Sequence, residues 1–404
     1  MKVLLIGDLR TAYNYGAIAT SDALIKLIEE VPDVDLRTID ARSFFYVTPE
    51  KGWTYTAVEA VEQRFANRVN RLPLDRTDNI PCRFDQYEEA IDRINRGLEF
   101  RYEKKMIEWA DIVLINGEGT LVHGTDENGR YRREGRYVLF MAYFAKQIMN
   151  RACFIINHSV DPNNRDTWDV IKHVYPVLDG VYVREHISED NLVKRGITNN
   201  VQFVPDALWT FNTEDNFILP SHITRESLGN NYVCIGDSSG VRNDYSSVRW
   251  NIFQFYTELI SRLKREFSAV VMIDGFGGKH QEIREVVERN RIPSVNLYNC
   301  DYTQLYSLLS GSRAFFSGRW HASILSLLGE TPVVLGGADS CKTFGLYDLM
   351  QSSADFFDIN AWPLNCDRIV DSIIKLAGER ESSFSEKIVK YRNDAANNVD
   401  MLKG

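Results

Sequence analysis

The chain has 404 residues, 44% of them hydrophobic and 25% charged, with a formal net charge of −9. That length exceeds what a single core usually supports, so two domains are expected. The acidic balance argues against a nucleic-acid binder, which would show a basic domain or stripe, and favours small or carbohydrate-like partners.

The opening MKVLLIGDLR has too short an apolar run for a secretory leader and reads as a first strand. No stretch approaches the roughly 18 apolar residues of a membrane helix. The longest, Val138 to Ala145, stops at Lys146, so a cytoplasmic protein is expected. Cys82, Cys153, Cys234, Cys300, Cys341 and Cys366 lack CxxC spacing, and no HExxH, DxD or His/Asp cluster appears. Neither a disulfide framework nor a metal site is signalled, and no metal is expected.

Short Val- and Ile-rich runs alternate with helix-length segments throughout, the pattern of parallel sheets built from βαβ units. The runs predicted as strands in the first half are Val3–Gly7, Asp35–Ile39, Asp111–Asn116, Cys153–Asn157, Gly180–Arg184 and Val201–Pro205. Helices are expected at Ile18–Glu30 and in a long stretch ending at Trp109, with Ile91, Ile94, Leu98 and Met106 on its apolar face. The insert 44–86 is irregular and has no assignment.

A second series of strands is predicted at Tyr232–Gly236, Val270–Asp274, Val295–Tyr298, Ala314–Ser317 and Pro332–Leu335. The expected organisation is an N-terminal Rossmann-like domain, 1–211; a linker, 212–230; a C-terminal Rossmann-like domain, 231–365; and C-terminal helices, 366–404. The fold class is α/β: two doubly wound parallel-sheet domains, glycosyltransferase-B-like, with a C-terminal helical tail and an active site expected in the interdomain cleft.

In open parallel sheets, ligands bind beyond the carboxyl ends of the strands, so residues following each run carry the functional signal. After the first strand, Asn14-Tyr15-Gly16 offers a close backbone approach and helix N–H groups for an anion. Equally, Gly16 makes a turn and Asn14 caps a helix. After the third strand comes Asn116-Gly117-Glu118-Gly119-Thr120, in which two glycines flank a carboxylate; it reads as a binding loop, with His123 close behind. Arg130, Arg132, Arg133 and Arg136 form a basic cluster that either grips a phosphorylated acceptor or is a solvated loop.

Arg184, with Ser188 nearby, is predicted to emerge as an anion clamp, or else to form a structural salt bridge. His158 ends a strand and is a weaker candidate, while His173, His186, His222 and His280 read as surface. The strongest constellation is Ser317-Gly318-Arg319-Trp320-His321, a strand, a glycine turn and then Arg-x-His opening a helix. It puts a fixed cation and a titratable imidazole at an anion-favouring terminus, and Lys342 after the next strand adds a second cation.

Taken together, these segments resemble the polysaccharide pyruvyl transferase family. The matching stretches are Asn14-Tyr15-Gly16, Ala110 through Gly119, Val183-Arg184-Glu185 with Ser188, Val204-Pro205-Asp206, and Gly318-Arg319-Trp320-His321 with Lys342 following, in family order. Glu118 stands where many members have glycine, and Glu185 where many have aspartate. The resemblance implies transfer of a pyruvyl group from phosphoenolpyruvate, the donor substrate, to a sugar of a cell-surface polysaccharide such as a capsule or exopolysaccharide, or to its precursor. No separate cofactor is implied.

It also implies a saccharide or lipid-linked saccharide acceptor, with peripheral membrane association through that acceptor and no nucleic-acid partner. The family's cationic and histidine positions carry over to Arg319, His321, Arg184 and Lys342, with the N-terminal domain on the acceptor side and the C-terminal domain on the donor side. For such a transfer His321 is expected as the acid or its proton relay, and Arg319 as the cation that stabilises the leaving phosphate. Two other readings stand beside it: a glycosyltransferase using a nucleotide-activated sugar, which aromatic side chains placed to stack a base would favour, with the placing of Trp320 and Trp209 not readable from sequence, and a non-catalytic carbohydrate-binding or regulatory module.

Overall fold

The computed structural model describes residues 1–11, 14–40, 80–122, 133–162, 165–212, 218–238, 248–275, 281–296, 300–337, 340–357, 366–378 and 382–403. Most of the 44–86 insert, together with His123, Arg130, Arg132 and His280, lies outside them. The chain forms two compact units. The first comprises Met1–Thr11, Val31–Val183 and Asn191–Gln202; the second comprises Ala12–Glu30, Arg184–Asp190 and Phe203–Gly404. The units are discontinuous where the sequence suggests contiguous domains: residues 12–30, 184–190 and 203–211 count with the second.

The first unit holds a sheet of β1 (Lys2–Asp8), β2 (Asp35–Asp40), β3 (Ile112–Leu121), β4 (Ala152–Val160), β5 (Gly180–Val183) and β6 (Val201–Phe203), in the order β2-β1-β3-β4-β5-β6. Val3 to Ile6 of β1 and Val113 to Ile115 of β3 have no exposed surface. Such unbroken apolar runs belong to strands covered on both faces. The expected long helix ending at Trp109 is instead two, Tyr87–Asn95 and Arg101–Trp109. Gly97 (φ 70°) and Phe100 (φ 48°) lie in the left-handed region and break it, which leaves Leu98 62% exposed rather than on the apolar face.

The second unit holds β7 (Tyr232–Ser238), β8 (Ala269–Asp274), β9 (Ser294–Asn296), β10 (Phe315–Gly318) and β11 (Val333–Leu335), in the order β11-β10-β7-β8-β9. Side chains alternate across this sheet as the pleat requires. Cys234, Val271, Ile273 and Phe315 enter one core, with residues of the helices Tyr15–Glu29, Tyr302–Ser310, Trp320–Leu328 and Lys342–Met350. Val233, Ile235, Val270, Met272 and Phe316 enter the other, with the helices Val248–Leu263, Gln281–Asn290 and Cys366–Gly378. The sheet is therefore doubly wound.

Residues 218–230, expected as linker, contribute Ile223 and Leu228 to the first of these cores. The C-terminal helices are likewise built into the unit: the Tyr391 hydroxyl donates to the Leu349 carbonyl at 2.7 Å, and the Asn398 amide donates to Pro205 O at 2.9 Å. Among the described residues no helix is long and apolar enough to cross a membrane.

Strand order fixes where each sheet can bind a ligand. In the first unit the order reverses between β1 and β3, where Asn116 Nδ2 donates to Gly7 O at 3.2 Å and Asn157 Nδ2 donates to Asn116 Oδ1 at 3.1 Å. Gly7 has φ 95°, and a Cβ there would lie 2.9 Å from Asn116 O. In the second unit the reversal falls between β7 and β10, so the crevice is bounded by the carboxyl ends carrying Asp237 and Gly318.

Gly7→Ala is expected to destabilise the protein by about 2 kcal/mol in urea denaturation, while Leu98→Gln changes stability by less than about 0.5 kcal/mol. Equal midpoints for the two variants would contradict this assignment.

Candidate functional site

Asp206 follows β6 and caps the short 3₁₀ turn Ala207–Thr210 by accepting from Leu208 N at 2.9 Å. It has no exposed surface. The same oxygen, Oδ1, accepts from the Thr20 hydroxyl at 2.6 Å. Oδ2 accepts from Arg184 Nη1 at 2.7 Å and from Trp320 Nε1 at 2.9 Å. Burial on its own would raise the carboxyl's pKa. The Arg184 guanidinium, followed by His321 and the Thr20 hydroxyl, outweighs burial and holds the group well below the usual carboxylate range.

Arg184, predicted to emerge as an anion clamp, is instead fully buried, ion-paired with Asp206 and stacked 5.1 Å from the Trp320 ring. The salt-bridge alternative is the arrangement observed. His321 lies beside this pair, with Nε2 3.6 Å from Asp206 Oδ2 and 3.5 Å from Arg184 Nη1; its side chain is 11% exposed. Ser188 donates to Glu185 Oε1 at 2.5 Å, and both are buried. A Cβ on Gly345 would lie 2.8 Å from the Glu185 Cβ, so the glycine leaves room for this longer acid.

Arg319 caps the helix Trp320–Leu328 from the end of β10. Asp237, at the end of β7, receives Arg319 Nε at 2.6 Å and Nη2 at 2.9 Å in a bidentate pair. Such a fork fixes the guanidinium plane as well as its charge. The Arg319 side chain retains 19% of its surface against 1% for Asp237. Glycines let the segments converge: a Cβ on Gly318 would overlap Ser238, and one on Gly275 would lie 2.6 Å from Arg319 Nε.

The start of the helix Tyr15–Glu29 completes the cluster. Asn14 Oδ1 accepts from Gly16 N at 3.0 Å, so Asn14 acts as the helix cap. Gly16 is a close-approach glycine: a Cβ there would lie 2.5 Å from His321 Nδ1. Tyr15 is buried beside Arg319, Asp237 and Asp274; burial pushes its phenol above the ordinary tyrosine range, with Arg319 pulling the other way. Lys342 is half-buried at the start of the helix Lys342–Met350 in the same unit.

The structure thus gathers Asn14, Gly16, Arg184, Gly318, Arg319 and His321 within one unit. Gly117, Glu118, Gly119 and Thr120 belong to the other unit, and they do not form a loop after the strand. They continue β3, which pairs on with β4 through Glu118↔His158 and Leu121↔Val160 across a register shift.

Glu118 turns through φ 45°, its carboxylate accepts from Gly119 N, and the Thr120 hydroxyl donates to Gly117 O at 2.7 Å. Packing accounts for Gly117, where a Cβ would lie 2.5 Å from the His158 Cβ. His158 itself is buried, with Nδ1 3.0 Å from Tyr182 O and Nε2 2.9 Å from the Tyr175 hydroxyl. It belongs to the interior of the first unit. Of the basic cluster, Arg136 is also interior, donating to Ile80 O at 3.3 Å.

Sequence reasoning passed over Asp206 and Asp237 as site residues. The available signal was positional, a lone carboxylate at a strand end in Val204-Pro205-Asp206 and Gly236-Asp237, but the sequence does not say that each meets an arginine over 20 residues away. Among the described residues no group of three or more His, Cys, Asp or Glu side chains is placed to hold a metal.

This geometry predicts two outcomes. Gly16→Ala should displace His321 and lower any activity that depends on it by at least about tenfold, with stability altered by about 1–3 kcal/mol; unchanged activity would contradict the contact. Because the Asp206 pKa is depressed by folding, its stabilisation is present above the unfolded value of 3.8 and lost as pH falls below it. The thermal-stability gap between wild type and Asp206→Asn should therefore be smaller at about pH 3 than at about pH 5.

A family model described as polysaccharide pyruvyl transferase matches residues 14–335, a span that includes Gly16, Arg184, Asp206, Arg319 and His321 but not Lys342. No curated protein matches the chain in sequence. In structure, the chain is similar to a putative UDP-N-acetylglucosamine 2-epimerase from Listeria monocytogenes (13% identity, TM-score 0.55, covering 99% of this chain and 94% of that one). It is also similar to HepE from Anabaena in complex with UDP and glucose (12%, 0.54, 99% and 100%). A third likeness is to UDP-GlcNAc 2-epimerase from Neisseria meningitidis bound to UDP-GlcNAc (13%, 0.55, 99% and 98%). At such identities these likenesses speak to the fold, two parallel-sheet α/β units of the glycosyltransferase-B kind. The family match covers most of the chain, and it is there that the arginine, histidine and glycine contacts lie: this chain belongs to the polysaccharide pyruvyl transferase family, a family of transferases.

Proposed function

We propose that the protein moves the pyruvyl group of phosphoenolpyruvate onto two hydroxyls of a sugar in a cell-surface polysaccharide or its precursor, forming a ketal. The observation that carries this reading is the pairing of Arg319, pinned by Asp237 at the strand-order reversal, with His321 at the start of the same helix. Phosphoenolpyruvate presents a phosphate and a carboxylate, and a fixed, partly exposed guanidinium beside helix N–H groups suits such an anion.

In the proposed reaction, His321 gives its proton to the methylene carbon as the carbon–carbon double bond breaks. A sugar hydroxyl oxygen bonds to the adjacent carbon, and its proton returns to His321. A second hydroxyl oxygen then bonds to that carbon while the carbon–oxygen bond to phosphate breaks, and the second hydroxyl proton leaves with inorganic phosphate. Arg319 stabilises the departing phosphate. Arg184 supports His321 from the interior, because its burial removes it from direct ligand contact.

The rival reading is a nucleotide-sugar glycosyltransferase, favoured by the neighbours described with UDP. The two tryptophans do not support it. Trp209 has no exposed surface, and Trp320 is 5% exposed with its N–H committed to Asp206, so neither offers a face to a base.

In a thermal-shift series, phosphoenolpyruvate is expected to raise the melting temperature by a few degrees, corresponding to about 2.7 kcal/mol at a hundredfold excess over its Kd, and Arg319→Ala should abolish the rise. UDP, CMP and GDP should leave it unchanged. Phosphate release with a panel of p-nitrophenyl glycosides should fall at least about hundredfold in His321→Ala while phosphoenolpyruvate binding persists. A selective rise with one nucleotide would instead favour glycosyl transfer.

A further inference from the structure

We infer that Asp206 is a positioning residue for this chemistry, the buried carboxylate that holds His321 in its working orientation through Arg184 and Trp320. The inference rests on the proposed reaction for its catalytic consequence, although its geometry stands independently. Asp206 lies outside both strands that flank the strand-order reversal, and it touches no surface a substrate could reach. Yet it connects four separate parts of the second unit: Thr20 of the N-terminal helix, Arg184 after β5, Leu208 of its own turn, and Trp320 of the helix that carries His321.

The arrangement constrains His321 from three sides. Trp320 precedes it, and the indole N–H on Asp206 Oδ2 sets the rotation of that helix turn. Arg184 Nη1, held on the same oxygen at 2.7 Å, stands 3.5 Å from Nε2, and Oδ2 itself lies 3.6 Å from it. Gly16 closes the Nδ1 side without a side chain. A buried ion pair contributes little net stability compared with apolar packing, so its physical value here lies in geometry. The carboxylate fixes two donors in directions that apolar residues would leave undefined.

Charge and position predict opposite signs. Asp206→Asn removes a negative charge close to the proposed anion site, and on charge alone the variant should bind phosphoenolpyruvate as well as or better than wild type. A positioning role predicts that turnover nonetheless falls, by about hundredfold, and that the fall vanishes when His321 is already alanine, since both changes remove one function. A purely architectural role predicts joint loss of affinity and turnover, multiplying with the effect of His321→Ala.

The deciding experiment measures the rate at which diethyl pyrocarbonate modifies each histidine, read by peptide mass in wild type and Asp206→Asn and taken at the alkaline plateau of each rate, where the imidazole is neutral in both proteins and the charge change alone has no effect. It needs neither donor nor acceptor. His158, buried with both ring nitrogens engaged in the first unit, is the internal standard. Modification of His321, only 11% exposed in its side chain, should accelerate by about tenfold when the carboxylate is lost, while His158 stays slow. His321 labelling at the wild-type rate in Asp206→Asn would overturn the inference. Acceleration in a protein whose wild type fails to bind phosphoenolpyruvate would keep Asp206 as the positioning residue and reject the donor. Where Asp206→Asn does not accumulate as folded protein, Trp320→Phe takes its place, stripping one donor from the same oxygen while leaving the charge, with a smaller acceleration expected and its absence equally contrary.

Discussion

A carboxylate sealed from water must find donors for both oxygens, and in this protein Asp206 finds four, three of them from distant parts of the chain. Its counter-ion, Arg184, is equally buried. Neither is tolerable alone in a low-dielectric interior, so each fixes where the other must be. The helix Tyr15–Glu29, the turn after β6 and the helix Trp320–Leu328 all meet on that one ion pair, and His321 takes its place beside it. Much of the local geometry of the candidate site derives from this single requirement.

A second ion pair, Arg319 with Asp237, does for the crevice what Asp206 does for the interior. It stands where the β7–β11 sheet reverses strand order, at the carboxyl ends that such sheets use for binding. The contrast in exposure underlies the different roles proposed for the two arginines. The Arg319 side chain keeps 19% of its surface and suits an anion, whereas Arg184 keeps none and suits support. Glycines at 16, 275 and 318 make this density possible, because a Cβ at any of them would meet His321, Arg319 or Ser238.

The strands of both sheets were legible because a doubly wound sheet buries both faces, and an unbroken Val/Ile run has few other uses. The placing of Arg319 and His321 at a helix start was legible for a related reason: a glycine turn between an apolar strand and an apolar helix marks where that helix begins. Arg184 also comes directly after a strand, yet it turns inward, since whether an arginine reaches solvent depends on a partner 22 positions later in the chain. Gly117 and Gly119 looked like a binding loop because glycine is costly in strands. The neighbour that explains Gly117 is His158 on β4, and the strand continues through a left-handed Glu118 that no local propensity predicts. Discontinuous units were beyond reach of a linear reading, because the helix Tyr15–Glu29 packs with elements hundreds of residues downstream.

The proposed reaction of this site is pyruvyl transfer from phosphoenolpyruvate. The most direct measurement pairs two readings on one sample of purified protein, phosphoenolpyruvate and saccharide: inorganic phosphate released, and mass gained by the saccharide. One ketal-linked pyruvyl group is expected on the sugar for each phosphate released, with both lost together in His321→Ala. Phosphate released with no mass gain on the sugar, or a glycosyl group transferred from a nucleotide sugar in its place, would contradict it.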